Sequence, residues 1–199
     1  MLSMTDDVSH DKRALRAELR ERRRICTAKE REEFNTGVTE HLIELTQRLG
    51  STSIAAYLST TDEPETRGFL HWACEHDITV LLPISRADGL LDWAPYDGED
   101  EDQDLIGMPA PTSDVLGPIA INDVDLIIVP AASVDRSGMR MGWGRGYFDK
   151  TLGSMETKPP VYAVIFDNEY VDEVPTEIHD QPVNGIVTPT GIVTITEHN

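Results

Sequence analysis

The run from Asp135 to Asp149 reads Asp-Arg-Ser-Gly-Met-Arg-Met-Gly-Trp-Gly-Arg-Gly-Tyr-Phe-Asp. Its residue types suit the capture of a phosphate-bearing ligand. A glycine-rich backbone can turn its N–H groups toward an anion, and a helix N-terminus behind it adds partial positive charge. The apolar run 125–130 just before it reads as a buried strand, and the chain from Tyr147 to about Met155 reads as helix. Gly138, Gly142, Gly144 and Gly146 therefore fall where a strand hands over to a helix. Arg140, Arg145 and Lys150 supply full charges around the loop, and Asp149 supplies a carboxylate able to hold a divalent cation between phosphate oxygens. A long turn whose glycines serve only the backbone is the plain alternative; three cations and an aspartate in the same short span favour the anion site. A dinucleotide fingerprint does not fit, because it needs Gly-x-Gly-x-x-Gly opening a helix and an acid about twenty residues on.

The charge of the whole chain sharpens this reading. With 199 residues, 39% of them hydrophobic, and a formal net charge of -19, the composition is that of a globular protein and argues against nucleic acid or anionic membrane as a partner. The cations are nevertheless bunched. Nine of the 17 Lys and Arg lie between Lys12 and Arg31, four more between Arg136 and Lys150, and none between residues 87 and 135. Lys12 and Arg16 share one face of a helix expected over 11–24, with Leu15 and Leu19 on an apolar face. The same run also reads as a solvated basic helix, and residue types leave both readings open. Two cysteines, Cys26 and Cys74, stand in no metal or disulfide pattern, which points to a reducing, cytoplasmic setting. No apolar run is long enough to span a bilayer, and the polar N-terminus lacks the features of a signal peptide.

The elements that must position these groups alternate between helix and strand. Residues 1–9 are expected to be a disordered tail. Thr27-Ala-Lys-Glu30 is a capping box opening a long amphipathic helix to Gly50. Residues 53–58 read as a buried strand, and the loop after it carries Glu63 at a strand's carboxyl end, where ligands of open α/β sheets lie. Its type and surroundings alone make Glu63 a solvent-facing loop acid. A short helix around Phe69, Leu70, Trp72 and Ala73 covers the sheet, and residues 79–84 and 90–94 form the next strand pair. The acid-rich segment from Tyr96 to Leu105 reads as a solvated loop that would repel phosphate and stay out of the site. Residues 161–166, 185–188 and 192–196 complete the strands. The pattern predicts one domain over 1–199: an α/β fold with a single three-layer open sheet, mostly parallel, and helices on both faces.

With these pieces in order, the chain from about Lys12 to Thr188 resembles the 5-formyltetrahydrofolate cyclo-ligase family, also called 5,10-methenyltetrahydrofolate synthetases. The loop Asp135-x-x-Gly-x-Arg-Met-Gly-Trp-Gly-x-Gly-Tyr-Phe-Asp149 is similar to the family's signature, and Lys12-x-x-Leu-Arg16 to its N-terminal phosphate motif. Leu58-Ser-x-x-x-Glu63 is similar to the segment that holds the folate, and Val174-Pro with Asp180 to its C-terminal segment. The family often has a second tyrosine where Phe148 stands, an aromatic at Ile106, and Glu or Gln at Ala110. The resemblance implies an ATP- and magnesium-dependent ring closure of 5-formyltetrahydrofolate, mono- or polyglutamylated. It implies that ATP is held by Lys12, Arg16, Arg140, Met141, Gly142, Trp143, Gly144, Arg145, Gly146, Tyr147 and Phe148. Leu58, Glu63 and Tyr147 would meet the folate, and Asp149 and Asp180 the Mg2+ ion. A non-catalytic folate or nucleotide sensor on the same fold is the alternative reading.

Overall fold

The structure is a computed structural model, described here for residues 4–98 and 100–196. A seven-stranded sheet forms its centre, built from β1 (Ser53–Ala55), β2 (Thr79–Ser85), β3 (Leu91–Pro95), β6 (Leu126–Pro130), β9 (Val161–Val164), β11 (Gly185–Thr188) and β12 (Gly191–Thr194). The order is β12-β11-β9-β6-β1-β2-β3. The five central strands run parallel, and β3 and β12 pair antiparallel at the two edges. This is the mostly parallel open sheet expected from the alternation of elements. Because side chains alternate across a strand, neighbouring residues feed two separate cores. Ile54, Leu126 and Ile128 face one side, where Leu42 and Leu45 of α2 (Ala28–Leu49) and Phe69 and Leu70 of α3 (Arg67–Glu75) cover them. Ala55, Ile127 and Val129 face the other, under Leu152 of α4 (Tyr147–Ser154) and Ile121 of a 3-10 turn at Pro118–Asp123.

The capping box of α2 is formed as expected. The Thr27 side chain accepts from the Glu30 amide, the Glu30 side chain accepts from the Thr27 amide, and Gly50 closes the helix in the left-handed conformation at φ 66°. Three expectations need correction. The expected tail is helical in its described part: α1 runs Met4–Arg24, since no Gly or Pro interrupts the chain there. The acid-rich segment is not all loop, because β4 (Glu101–Gln103) and β5 (Pro109–Pro111) pair as a hairpin. The strand before the glycine run does not hand over directly to a helix. β7 (Ser133–Asp135) and β8 (Arg140–Met141) form a hairpin after β6, joined by β10 (Tyr170–Val171) in a small three-stranded sheet. Gly138 belongs to that hairpin's turn at φ 90°, and a Cβ there would lie 2.6 Å from the Val183 carbonyl oxygen. Helix α1 lies against this small sheet, with Leu19 packed among Ala132, Met141 and Val174. Among the described residues no helix is long and apolar enough to cross a membrane.

Candidate functional site at the carboxyl ends of the strands

A cavity of about 300 Å³ opens where parallel strands end, beside Leu58 beyond β1, Ser85 at the end of β2 and Pro130 at the end of β6. Parallel strands place their free carboxyl ends together, so the loops that follow them converge. Two of those loops wall the cavity. One carries Leu58 and Glu63; the other carries Arg140, Gly142, Trp143, Arg145, Gly146, Tyr147, Phe148 and Asp149.

The backbone of the glycine loop is shaped by close approach. Arg16 of α1 donates from Nε to the Gly142 carbonyl at 2.8 Å, and its guanidinium lies 3.2 Å from where a Cβ on Gly144 would sit. Gly144 adopts φ 101° and Gly146, which precedes α4, φ 73°. Only glycine takes such angles without strain. A Cβ on Gly142 would meet Arg140 Nη1 at 3.0 Å. Arg140, itself buried, donates to the Pro130 carbonyl at 2.8 Å and pairs with Asp149 Oδ1 at 3.0 Å. Burial first, and the charge of Arg20 second, lower the pKa of Arg16, against the opposing fields of Asp180, Glu177 and Asp149. A cation so placed gains from a bound anion. Tyr147 donates to the Arg86 carbonyl at 3.2 Å, which ties the start of α4 to the end of β2.

Glu63 corrects the sequence reading of a solvent-facing acid, being only 7% exposed. Its Oε2 accepts from the Thr60 amide at 2.8 Å and from the Thr60 hydroxyl at 3.1 Å. Burial pushes its carboxyl above the ordinary range, opposed by the Thr60 amide and the charge of Arg23. Asp104 is a second correction. It lies in the acid-rich segment expected to stay out of the site, yet it lines the cavity. Its carboxylate accepts from the amides of Ser85, Ile106 and Met108, each at 3.0 Å. Those bonds outweigh the cost of burial and hold its pKa below the ordinary value, so the charge is spent on fixing the β4–β5 turn.

Lys12, Arg16, Met141, Gly144 and Asp180 do not line the cavity themselves. Met141 belongs to the core beneath the loop. Lys12 bridges Asp180 at 2.6 Å and Glu177 at 2.7 Å, with the lysine and Asp180 side chains almost wholly buried. Asp180 and Asp149 come from distant segments to neighbouring places, since the Gln181 amide donates to Asp149 Oδ1 at 3.1 Å. Each faces its own cation. For a metal ion, Asp149 has the better donor: it stands in the cavity wall, and among the described residues no hydrogen bond reaches its Oδ2. A carboxylate in the wall of such a cavity suits magnesium. Glu177, His179 and Asp180 have ligand atoms within 4.8 Å of one another, but the Lys12 ammonium already pairs with both carboxylates.

Sequence reasoning missed the residues that hold α1 in place. Arg23 is bidentate to Glu169, at 2.7 and 2.8 Å, and donates to the Ala131 carbonyl at 3.0 Å. Its guanidinium also lies over the rings of Trp143, at 4.7 Å, and Phe166, at 5.3 Å. Arg20 approaches Trp143 as well, at 5.1 Å. A signal existed: Lys12, Arg16, Arg20 and Arg23 continue one helical stripe.

An open, mostly parallel sheet with a cavity beyond its carboxyl ends, walled by a glycine loop and buried charges, is the architecture of α/β proteins that bind small ligands at their strand ends. Comparison with known proteins narrows the class. The 5-formyltetrahydrofolate cyclo-ligase family matches residues 8–189. The 5-formyltetrahydrofolate cyclo-ligase of Mycolicibacterium smegmatis is 34% identical over 154 residues, 74% of this chain and 79% of that protein. The enzyme of the same name from Escherichia coli is 26% identical over 180 residues, 87% of this chain and 98% of that protein. The solved structure of Aquifex aeolicus 5,10-methenyltetrahydrofolate synthetase superposes with a TM-score of 0.78 at 22% identity, covering 94% of each chain, and so shares the fold. The chain belongs to the 5-formyltetrahydrofolate cyclo-ligase family, a family of ligases.

Proposed function

We propose that this protein closes the ring of 5-formyltetrahydrofolate to 5,10-methenyltetrahydrofolate at the expense of ATP, releasing ADP and phosphate. The observation that carries the reading is a single cavity with the Glu63 segment on one wall and the cationic glycine loop on another. Two substrates that must react with each other need such a shared space. In this reading the N5-formyl oxygen attacks the γ-phosphorus of ATP and ADP leaves. N10 then attacks the activated formyl carbon, loses its proton, and phosphate departs with the former formyl oxygen. Phosphoryl transfer asks mainly for positioning and charge neutralisation. Arg140, Arg145 and the amides before α4 supply both at the phosphates, and Arg16 holds the loop through the Gly142 carbonyl. Lys12 sits one turn away on the same helix and keeps Asp180 in place. Glu63 orients the reduced folate on the opposite wall. Asp149, with Asp180 beside it, would hold magnesium, which when bound neutralises phosphate charge.

The test is a measurement of ADP release by purified protein with ATP and magnesium, with and without 5-formyltetrahydrofolate. Stoichiometric, folate-dependent ADP is the expected outcome. Binding of both ligands with no ADP above background would instead make the protein a sensor.

A further inference from the structure

Tyr57 follows β1, between the strand and Glu63, and its side chain lines the cavity while being only 3% exposed. Its hydroxyl has no hydrogen-bond partner among the described residues. Among the described residues four buried side-chain polar atoms are orphaned in this way, and three of them, Tyr57 Oη, Arg140 Nε and Trp143 Nε1, belong to residues walling this one cavity. Buried donors are ordinarily satisfied, so a cluster of orphans around a cavity points to partners that enter it. A phenylalanine would fill the Tyr57 position without an unpaired hydroxyl. Burial, then the charge of Glu63, pushes the phenol well above its ordinary range, so the group keeps its proton and acts as a donor.

Glu63 lines the same cavity. Glu63 spends Oε2 on Thr60, and among the described residues nothing donates to Oε1. A free donor and a free acceptor on residues that line one cavity suit a lactam edge, in which a ring N–H adjoins a ring carbonyl. We propose that Tyr57 is a specificity-determining residue, its hydroxyl donating to the ring carbonyl of the reduced folate while Glu63 Oε1 accepts from the adjacent ring N–H. The inference rests on the folate reading above and adds to it the edge that is read and the residue that reads the carbonyl. A site that pairs a substrate's polar edge rejects an analogue with that edge reversed, because its own buried groups are then left unpaired.

Calorimetric titration of wild type and Tyr57→Phe with 5-formyltetrahydrofolate, and separately with ATP, tests this, alongside melting of both proteins without ligand. Tyr57→Phe should bind the folate roughly three- to tenfold more weakly, the range for one neutral hydrogen bond, with ATP affinity unchanged. Its melting temperature without ligand should be equal or higher, since an unpaired hydroxyl has been removed. An analogue carrying an amino group in place of the ring carbonyl should compete poorly against wild type, and the variant should narrow that preference. Equal folate affinity in wild type and variant, or an unaltered preference between carbonyl and amino rings, would overturn the assignment and leave the folate reading standing. A wild-type protein that does not bind the folate at all would overturn both.

Discussion

At the residue scale, the site is governed by which charges are buried and what they meet. Lys12 and Arg16 come from one helix face and do different work: the lysine bridges Asp180 and Glu177, while the arginine holds the Gly142 carbonyl. Arg16→Ala should therefore cost on the order of 2 to 4 kcal/mol in kcat/KM with the fold retained. Lys12→Ala should lose stability as well as turnover, by about 3 kcal/mol, because it strands a buried carboxylate. Denaturant melts and steady-state kinetics separate the two outcomes. Unchanged kinetics in both variants would leave the stripe a structural support with no part in turnover. Glu63 carries a pH signature of its own. Its folded pKa is raised by burial, so the unfolded chain ionises first as pH rises, and the wild type loses stability between the ordinary carboxylate pKa and the raised one. Glu63→Gln lacks this loss. Relative to wild type it should be more stable at pH 7 than at pH 4 in urea titrations, and it should weaken folate binding while sparing ATP.

At the scale of elements, the glycine loop is set by the pieces that flank it. Gly144 carries φ 101° and has Arg16 packed where a side chain would go. Gly144→Ala should cost about 1 to 3 kcal/mol of stability through strain, and should raise the KM for ATP by displacing the loop. A variant with wild-type melting and wild-type KM would show that the loop relaxes freely. The regular elements were legible in the sequence because each repeats a simple signal. The capping box at Thr27 and the helical spacing through Leu45 announced α2, and continuous apolar runs announced β6 and β9. The small sheet of β7, β8 and β10 gave no such signal, as strands of two or three residues are too short for periodicity. Charge misled in one place. The acids from Asp97 to Asp104 look uniformly solvated, but Asp104 turns inward because three amides of its own turn and of β2 need an acceptor. Arg23 and Glu169 show the converse. Nothing local marks which arginine of a basic run will be buried against a distant acid, and that pairing appears only once α1 docks on the small sheet.

At the scale of the whole molecule, a strongly acidic chain concentrates its cations on α1 and the glycine loop and brings both to one end of the sheet. That arrangement offers an anionic ligand a local positive field within a chain that would otherwise repel it. In the proposed reaction Glu63 and Tyr57, which line the same cavity, meet the second ligand. The central claim is that the two ligands react there. Its most direct test is the growth of methenyltetrahydrofolate absorbance when the protein is mixed with 5-formyltetrahydrofolate, ATP and magnesium. The expected growth requires all four components and is slowed by Arg16→Ala and by Asp149→Asn, the latter recovering in part at higher magnesium. A folded protein that binds both ligands and gives no absorbance growth in the complete mixture would contradict it.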